Sequence, residues 1–289
     1  MVHRNLLTKI VAFAAVLSLV ILPVAAAVPD KEELTAEQIV AKHLEAIGTA
    51  EARAAIKSRV IVGKAASIMR IGGSGQVEGS AVMASQGSSS LLGASFNIVD
   101  YPHEKIGFDG KKLKVADITP GTKSTLGEFF SKHEMPFREG LAGGVLSTAW
   151  PLLDMSARKV TLKYDGTKKI DGRQVYVLKF ESKNDSGLKT RLFFDAETFQ
   201  HVRTEYEQRM VQQMATEPGR TQKQGDSITK LVEEFSDFKT ENGVTMPHSY
   251  KIQLSIETLT RRILQDWNFS LSQFVINRAL EPSQFDVAS

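Results

Sequence analysis

Asn242-Gly243-Val244-Thr245-Met246-Pro247-His248-Ser249-Tyr250-Lys251-Ile252-Gln253-Leu254-Ser255-Ile256-Glu257 decides the architecture of this chain. Tyr250, Ile252, Leu254 and Ile256 alternate with Lys251, Gln253, Ser255 and Glu257. A period of two puts apolar groups on one face and polar groups on the other, as in a half-buried strand. Asn242-Gly243 tolerates the positive φ of a tight hairpin turn, so an antiparallel partner is expected immediately upstream. There Ile228, Leu231, Val232 and Phe235 sit at helical spacing. The turn and the alternating strand need a partner, so this segment is nevertheless read as a strand. Residues 214–225, mostly polar with Pro218-Gly219 among them, read as a long exposed hairpin loop before it.

The same pattern extends further upstream. Val160, Leu162 and Tyr164 alternate with Lys159, Thr161 and Lys163, and Val202, Thr204 and Tyr206 with Arg203, Glu205 and Glu207. Asp165-Gly166 and Asp171-Gly172 are read as tight turns between antiparallel neighbours. Residues 174–180 are apolar on both faces, Tyr176, Leu178 and Phe180 opposite Val175 and Val177, so something is expected to cover each side. Between residues 59 and 113, short runs such as Val60-Ile61-Val62, Ala81-Val82-Met83 and Phe96-Asn97-Ile98-Val99 are separated by Gly and Ser clusters and read as strands. Gly72-Gly73-Ser74-Gly75 fits no phosphate-loop spacing and reads as a flexible turn.

Two segments break the strand pattern. Thr35, followed by Glu37 and Gln38, resembles a helix N-cap, and Ile39, Val40, His43, Leu44 and Ile47 recur at helical spacing up to Gly48. His43 falls in that apolar stripe and is read as a packed side chain. In residues 122–154, Leu126, Phe129 and Phe130 fit a short helix ended by Pro136. Phe137, Leu141, Val145 and Leu146 fit a second helix, weakened by Gly140, Gly143 and Gly144, and Trp150-Pro151-Leu152-Leu153 closes the segment. An apolar, glycine-loosened helical insertion thus interrupts the strands.

Residues 1–27 have the layout of a secretory signal peptide. His3, Arg4 and Lys9 precede an apolar run from Ile10 to Leu22, and Ala25 and Ala27 suit a cleavage site after Ala27. Residues 28–289 are then expected to form a single domain in the periplasm. The run is short for a membrane span, which needs roughly 20 apolar residues. The chain has no cysteine, so neither a disulfide nor a lipidated N-terminal Cys is available. Lys and Arg total 36 against 33 Asp and Glu. With both signs interspersed and no basic block, no nucleic-acid partner is expected.

Nothing in the motifs assigns a catalytic residue, a metal or a cofactor. His103-Glu104 and His133-Glu134 do not extend to HExxH, and no GxSxG elbow is present. What remains is binding. If the insertion fits the sheet tightly its aromatics are core; if the fit is loose they line a cavity for an acyl chain. Phe129, Phe130, Phe137, Leu141 and Trp150 are the expected wall of that apolar pocket.

Several short stretches resemble the outer-membrane lipoprotein carrier (LolA-like) superfamily. Residues 37–48 are similar to its first helix, and Phe108-Asp109-Gly110 to the turn before its helical insertion. Residues 170–178 resemble its Asp-Gly turn and following strand, Phe194-Asp195-Ala196-Glu197-Thr198 a later turn, and residues 238–247 the next hairpin. The resemblance implies a mostly β (α+β) fold, a curved antiparallel half-barrel sheet wrapped around a few helices. It also implies a non-enzymatic periplasmic carrier holding a lipid or lipoprotein acyl chain under a mobile helical lid. Partners would be the lipid or acylated lipoprotein and a membrane donor or acceptor protein. An envelope sensor that binds a membrane or signalling protein is the alternative reading, and a lipid-ester hydrolase the third.

Overall fold

A computed structural model describes residues 34–70, 74–181, 187–210 and 227–287. The expected signal peptide, Gly72-Gly73 and the loop at residues 214–225 lie outside the described residues.

Thr35 caps the first helix. Its hydroxyl accepts the Gln38 N–H and the Gln38 side chain accepts the Thr35 N–H, a reciprocal box that satisfies two donors the helix leaves free. Helices α1 (Ala36–Ile47) and α2 (Ala50–Ala55) lead into five strands: β1 (Ser58–Arg70), β2 (Ser74–Gln86), β3 (Ser89–Phe96), β4 (His103–Phe108) and β5 (Leu113–Val115). The helical insertion follows as α3 (Thr125–Lys132), α4 (Met135–Arg138), two 3-10 turns (Gly144–Leu146 and Pro151–Asp154) and α5 (Met155–Arg158). Among the described residues seven more strands follow, β6 (Thr161–Ile170), β7 (Arg173–Glu181), β8 (Lys189–Asp195), β9 (His201–Met210), β10 (Ser227–Glu241), β11 (Val244–Glu257) and β12 (Arg262–Ile276), and then a 3-10 turn (Pro282–Phe285).

All twelve strands join one open antiparallel sheet in the order β5-β4-β3-β2-β1-β12-β11-β10-β9-β8-β7-β6. Two meanders meet where β1 pairs with β12. Ile61, Met83, Leu92, Ile106, Val115, Leu162, Leu178, Leu192, Tyr206, Leu231, Ile252 and Trp267, one from each strand, belong to a single apolar cluster with α1 and the insertion. One core shared by every strand requires the sheet to curl around its helices, as expected for a half-barrel.

The order also fixes the path of the insertion. β5 and β6 are consecutive in sequence yet form opposite edges of the sheet. Laid flat, twelve strands span roughly 50 Å between edges at ordinary strand spacing. Residues 116–160 therefore cross the inner face from one edge to the other, with α3 on β4 and β5 and the first 3-10 turn on β9 and β11. The insertion is a strap anchored at both ends.

Three expectations change. Asp165-Gly166 is a bulge inside β6, where the register to β7 shifts between Tyr164 and Thr167, because its Gly166 φ of 85° inserts a residue without reversing the chain. The third strand runs through the Ser-Ser-Leu-Leu-Gly-Ala stretch and ends at Phe96. Ile98 and Val99 then lie exposed in the turn, Val99 at 89%, since Phe96 N–H donates to Pro102 O and closes the loop first. The second insertion helix is only the four residues of α4, which Pro136 opens instead of ending α3. Gly140, Gly143 and Gly144 adopt φ of 74°, 77° and 51° and stop it. The segment around Leu231 is a strand, as expected, paired with β11 through the Asn242-Gly243 turn.

Candidate functional site

The inner face is where sheet and strap meet, and buried polar groups fasten the strap along its length. At its start Ser124 caps α3 by accepting the Gly127 N–H at 2.8 Å, and its hydroxyl donates to Glu104 Oε2 on β4 at 2.6 Å. Tyr101 O–H donates to the other Glu104 oxygen and accepts Trp267 Nε1–H at 2.6 Å. Glu104 is 3% exposed. Burial pushes its carboxyl up to about 7, against the opposing hydrogen bonds from Ser124, Tyr101 and Trp267. Thr125 O–H donates to Gln265, whose amide donates to Ser67 at 3.0 Å.

At mid-strap, Glu233 of β10 accepts the Gly143 N–H at 2.8 Å and the Tyr206 hydroxyl at 2.7 Å, and also the Tyr250 hydroxyl. Complete burial raises its pKa. Arg59 of β1 donates through Nη1 to Val145 O. The Thr148 N–H donates to Ser85 Oγ at 2.9 Å.

Near the end, Trp150 Nε1–H donates to His43 Nε2 at 3.2 Å, and His43 Nδ1 donates to Phe199 O at 3.0 Å. Both ring nitrogens are used by the neutral tautomer, and burial holds the His43 pKa down at about 4. Trp150 also stacks on His201 at 4.6 Å. His201 Nε2 lies 2.9 Å from Thr204 Oγ1, and burial followed by the proximity of His43 depresses its pKa well below the ordinary value.

The five expected pocket residues are all buried: Phe129 4%, Phe130 1%, Phe137 3%, Leu141 0% and Trp150 0%. Phe129, Phe130 and Phe137 meet edge to face at 5.3 and 4.9 Å, whereas Trp150 belongs to the separate His43 and His201 group. They fill the inner face in this structure. A small cavity of about 20 Å³ lies between strap and sheet beside Met83, Leu92, Phe137, Leu146 and Tyr250. That holds about one water. A larger groove of about 690 Å³ lies on the opposite, outer face along Val62, Val82, Leu91 and Gly93.

The sequence reading missed Glu233, Glu104 and Arg59, though each carries a signal. Leu231-Glu233-Phe235, Glu104-Ile106-Phe108 and Arg59-Ile61 put a charge in the apolar phase of a strand. Among the described residues no cluster of three His, Asp or Glu is placed to hold a metal, and no helix is long and apolar enough to cross a membrane.

The site is thus an open antiparallel sheet whose inner face is crossed and filled by a polar-fastened strap. No protein-family model and no curated protein matches the chain. Among solved structures it is similar to a LolA superfamily protein from Nitrosomonas europaea, at 14% identity over 88% of this chain and 98% of that one, with a TM-score of 0.46. It is also similar to a domain described as outer membrane lipoprotein-sorting from Vibrio parahaemolyticus, 13% identical over 86% and 97%, TM-score 0.42. A DUF1329 family protein from Desulfovibrio piger is 11% identical over 86% and 96%, TM-score 0.40.

Proposed function

We propose that the protein is a non-enzymatic binding and carrier protein of the cell envelope that takes an apolar lipid or acyl chain between sheet and strap. The observation that supports this reading is the mismatch between wall and fasteners. The wall is apolar, including Ile61, Met83, Leu92, Phe235, Ile252 and Phe269. The strap is held to it by directional bonds from Glu104, Glu233, Arg59, Ser85 and His43. When the strap lifts, those polar groups regain water, but the wall needs another apolar partner. An acyl chain supplies one, at ~0.8 kcal/mol per buried CH₂. Phe129, Phe130, Phe137, Leu141 and Trp150 then change from core to pocket wall.

Two experiments test this. The mature protein, purified without detergent, is extracted with organic solvent and the extract analysed by mass spectrometry; a stoichiometric lipid is expected. An empty extract from well-folded protein moves the weight to an envelope interaction module. In the second, Ser85→Cys with Thr148→Cys locks the strap in a chain that has no other cysteine. Oxidation is expected to stop lipid uptake and reduction to restore it; uptake by the locked protein sinks the strap mechanism.

A further inference from the structure

Arg59 fastens the strap through one hydrogen bond to Val145 O, a bond that does not itself call for a full positive charge. It is 2% exposed at an inward position of β1, in phase with Ile61. Its Nη1 donates to the carbonyl of Val145, its Nε has no hydrogen-bond partner, and among the described residues no carboxylate forms an ion pair with it. The two carboxylates nearest in kind, Glu104 and Glu233, are satisfied by Ser124, Tyr101, Tyr206, Tyr250 and Gly143. A buried guanidinium with five donors and no anion is costly, and such groups are normally found paired.

Arg59 neighbours residues of the small cavity between strap and sheet, which holds about one water while the strap is closed. Arg59 faces Ser85 across the β1–β2 register, and Val145 precedes Leu146 and Ser147. Ser85, Leu146 and Ser147 all line the small cavity between strap and sheet. Val145 O thus occupies one donor of a fork whose shape suits two oxygens. Lifting the strap removes that carbonyl and leaves the guanidinium at the end of the apolar wall.

We infer that Arg59 receives the anionic head, a carboxylate or phosphate, of the amphiphile whose chain lies along the inner face. This rests on the acyl-chain reading and adds the ligand's charge and its direction in the site. Val145 O stands in for a ligand oxygen while the site is closed.

The test compares palmitate, ionised, with hexadecanol, a neutral ligand of the same chain length, by calorimetric titration. The wild type is expected to prefer palmitate by about tenfold or more, the effect of one charge-assisted hydrogen-bond pair. Arg59→Met is expected to erase the preference, and Arg59→Lys to keep part of it. The urea midpoint of ligand-free protein is measured alongside. Arg59→Met is expected to raise it, because an unpaired buried charge is removed. A preference that survives Arg59→Met, or a lowered midpoint in that variant, overturns the inference by making Arg59 a structural clamp. Wild-type protein that binds neither probe overturns the acyl-chain reading itself, and the assignment with it. Binding of both with equal strength leaves that reading standing and overturns only the role of Arg59.

Discussion

Glu233 Oε1 on β10 accepts the backbone N–H of Gly143 in the strap at 2.8 Å, deep inside an interface that is otherwise largely apolar. The same carboxyl serves both Tyr206 and Tyr250. Glu233→Ala strands three donors at once and is expected to cost roughly 3 kcal/mol in urea unfolding. Glu233→Gln keeps an acceptor and is expected to cost less. Equal losses in the two variants would show that volume matters here and hydrogen bonding does not.

The Glu104 carboxyl makes a signed prediction about pH. Its folded pKa of about 7 lies above the ordinary 4.5, so the folded state holds the proton more tightly than the unfolded chain. Its stabilisation is complete below about pH 4.5 and is lost as the pH rises through 7, an effect of roughly 3 kcal/mol. His43 acts oppositely, since its pKa of about 4 lies below 6.5 and favours the folded state as pH rises through that interval. The wild-type profile is therefore flattened by cancellation. The stability of Glu104→Gln relative to wild type is expected to grow between pH 4.5 and 7. A constant offset would sink the assignment.

Gly140 and Gly121 separate strain from collision. Their φ values are 74° and 76°. A Cβ at Gly121 meets nothing within 4 Å, whereas at Gly140 it runs into the backbone carbonyl of Ala149. Gly121→Ala is expected to cost about 1 kcal/mol, the price of the left-handed backbone alone. Gly140→Ala is expected to cost ~3 kcal/mol or more and to make residues 135–150 exchange amide protons faster. Matching losses in thermal unfolding would refute the collision.

Trp150→Phe keeps an aromatic ring but deletes the donor to His43 Nε2, leaving that nitrogen buried and unpaired. The expected loss is ~2 kcal/mol. His43→Leu removes the other partner, and in a double-mutant cycle the pair is expected to couple by about 1 kcal/mol. Additive losses would mean the bond contributes nothing.

Strands were legible wherever one face was apolar and a turn residue marked the reversal. Tyr250 to Glu257 behind Asn242-Gly243 needed no tertiary information, and the polar box at Thr35 announced α1 in the same way. The helical spacing of Leu231, Val232 and Phe235 arose because Val232 is buried on the outer face of β10 while Glu233 takes an inner place between two apolar neighbours. Asp165-Gly166 misled because positive φ serves a bulge as well as a turn. The insertion could be recognised by composition, but its route could not. That β5 and β6 are opposite edges follows from the β1–β12 pairing, which local pattern does not encode. For the same reason the sequence left Phe129, Phe130, Phe137, Leu141 and Trp150 undecided between core and pocket. The five residues fill the inner face only because the strap is drawn across it.

The β1–β12 pairing has a consequence for how the chain is made. It joins Arg59 to Ile276 and Arg70 to Leu264, placing β12, the strand furthest from β1 in sequence among the described residues, beside it at the centre of the sheet. Until β12 arrives, the meander of β1 to β5 and that of β6 to β11 are separate, and β1 and β11 each present a bare hydrogen-bonding edge. Bare edges recruit other chains, and long-range strand pairing is slow. A chain stopped after β11 is therefore not a slightly shorter version of this protein but two half-sheets prone to stick to each other's copies. Docking of β12 is what turns two aggregation-prone halves into one continuous hydrogen-bond ladder.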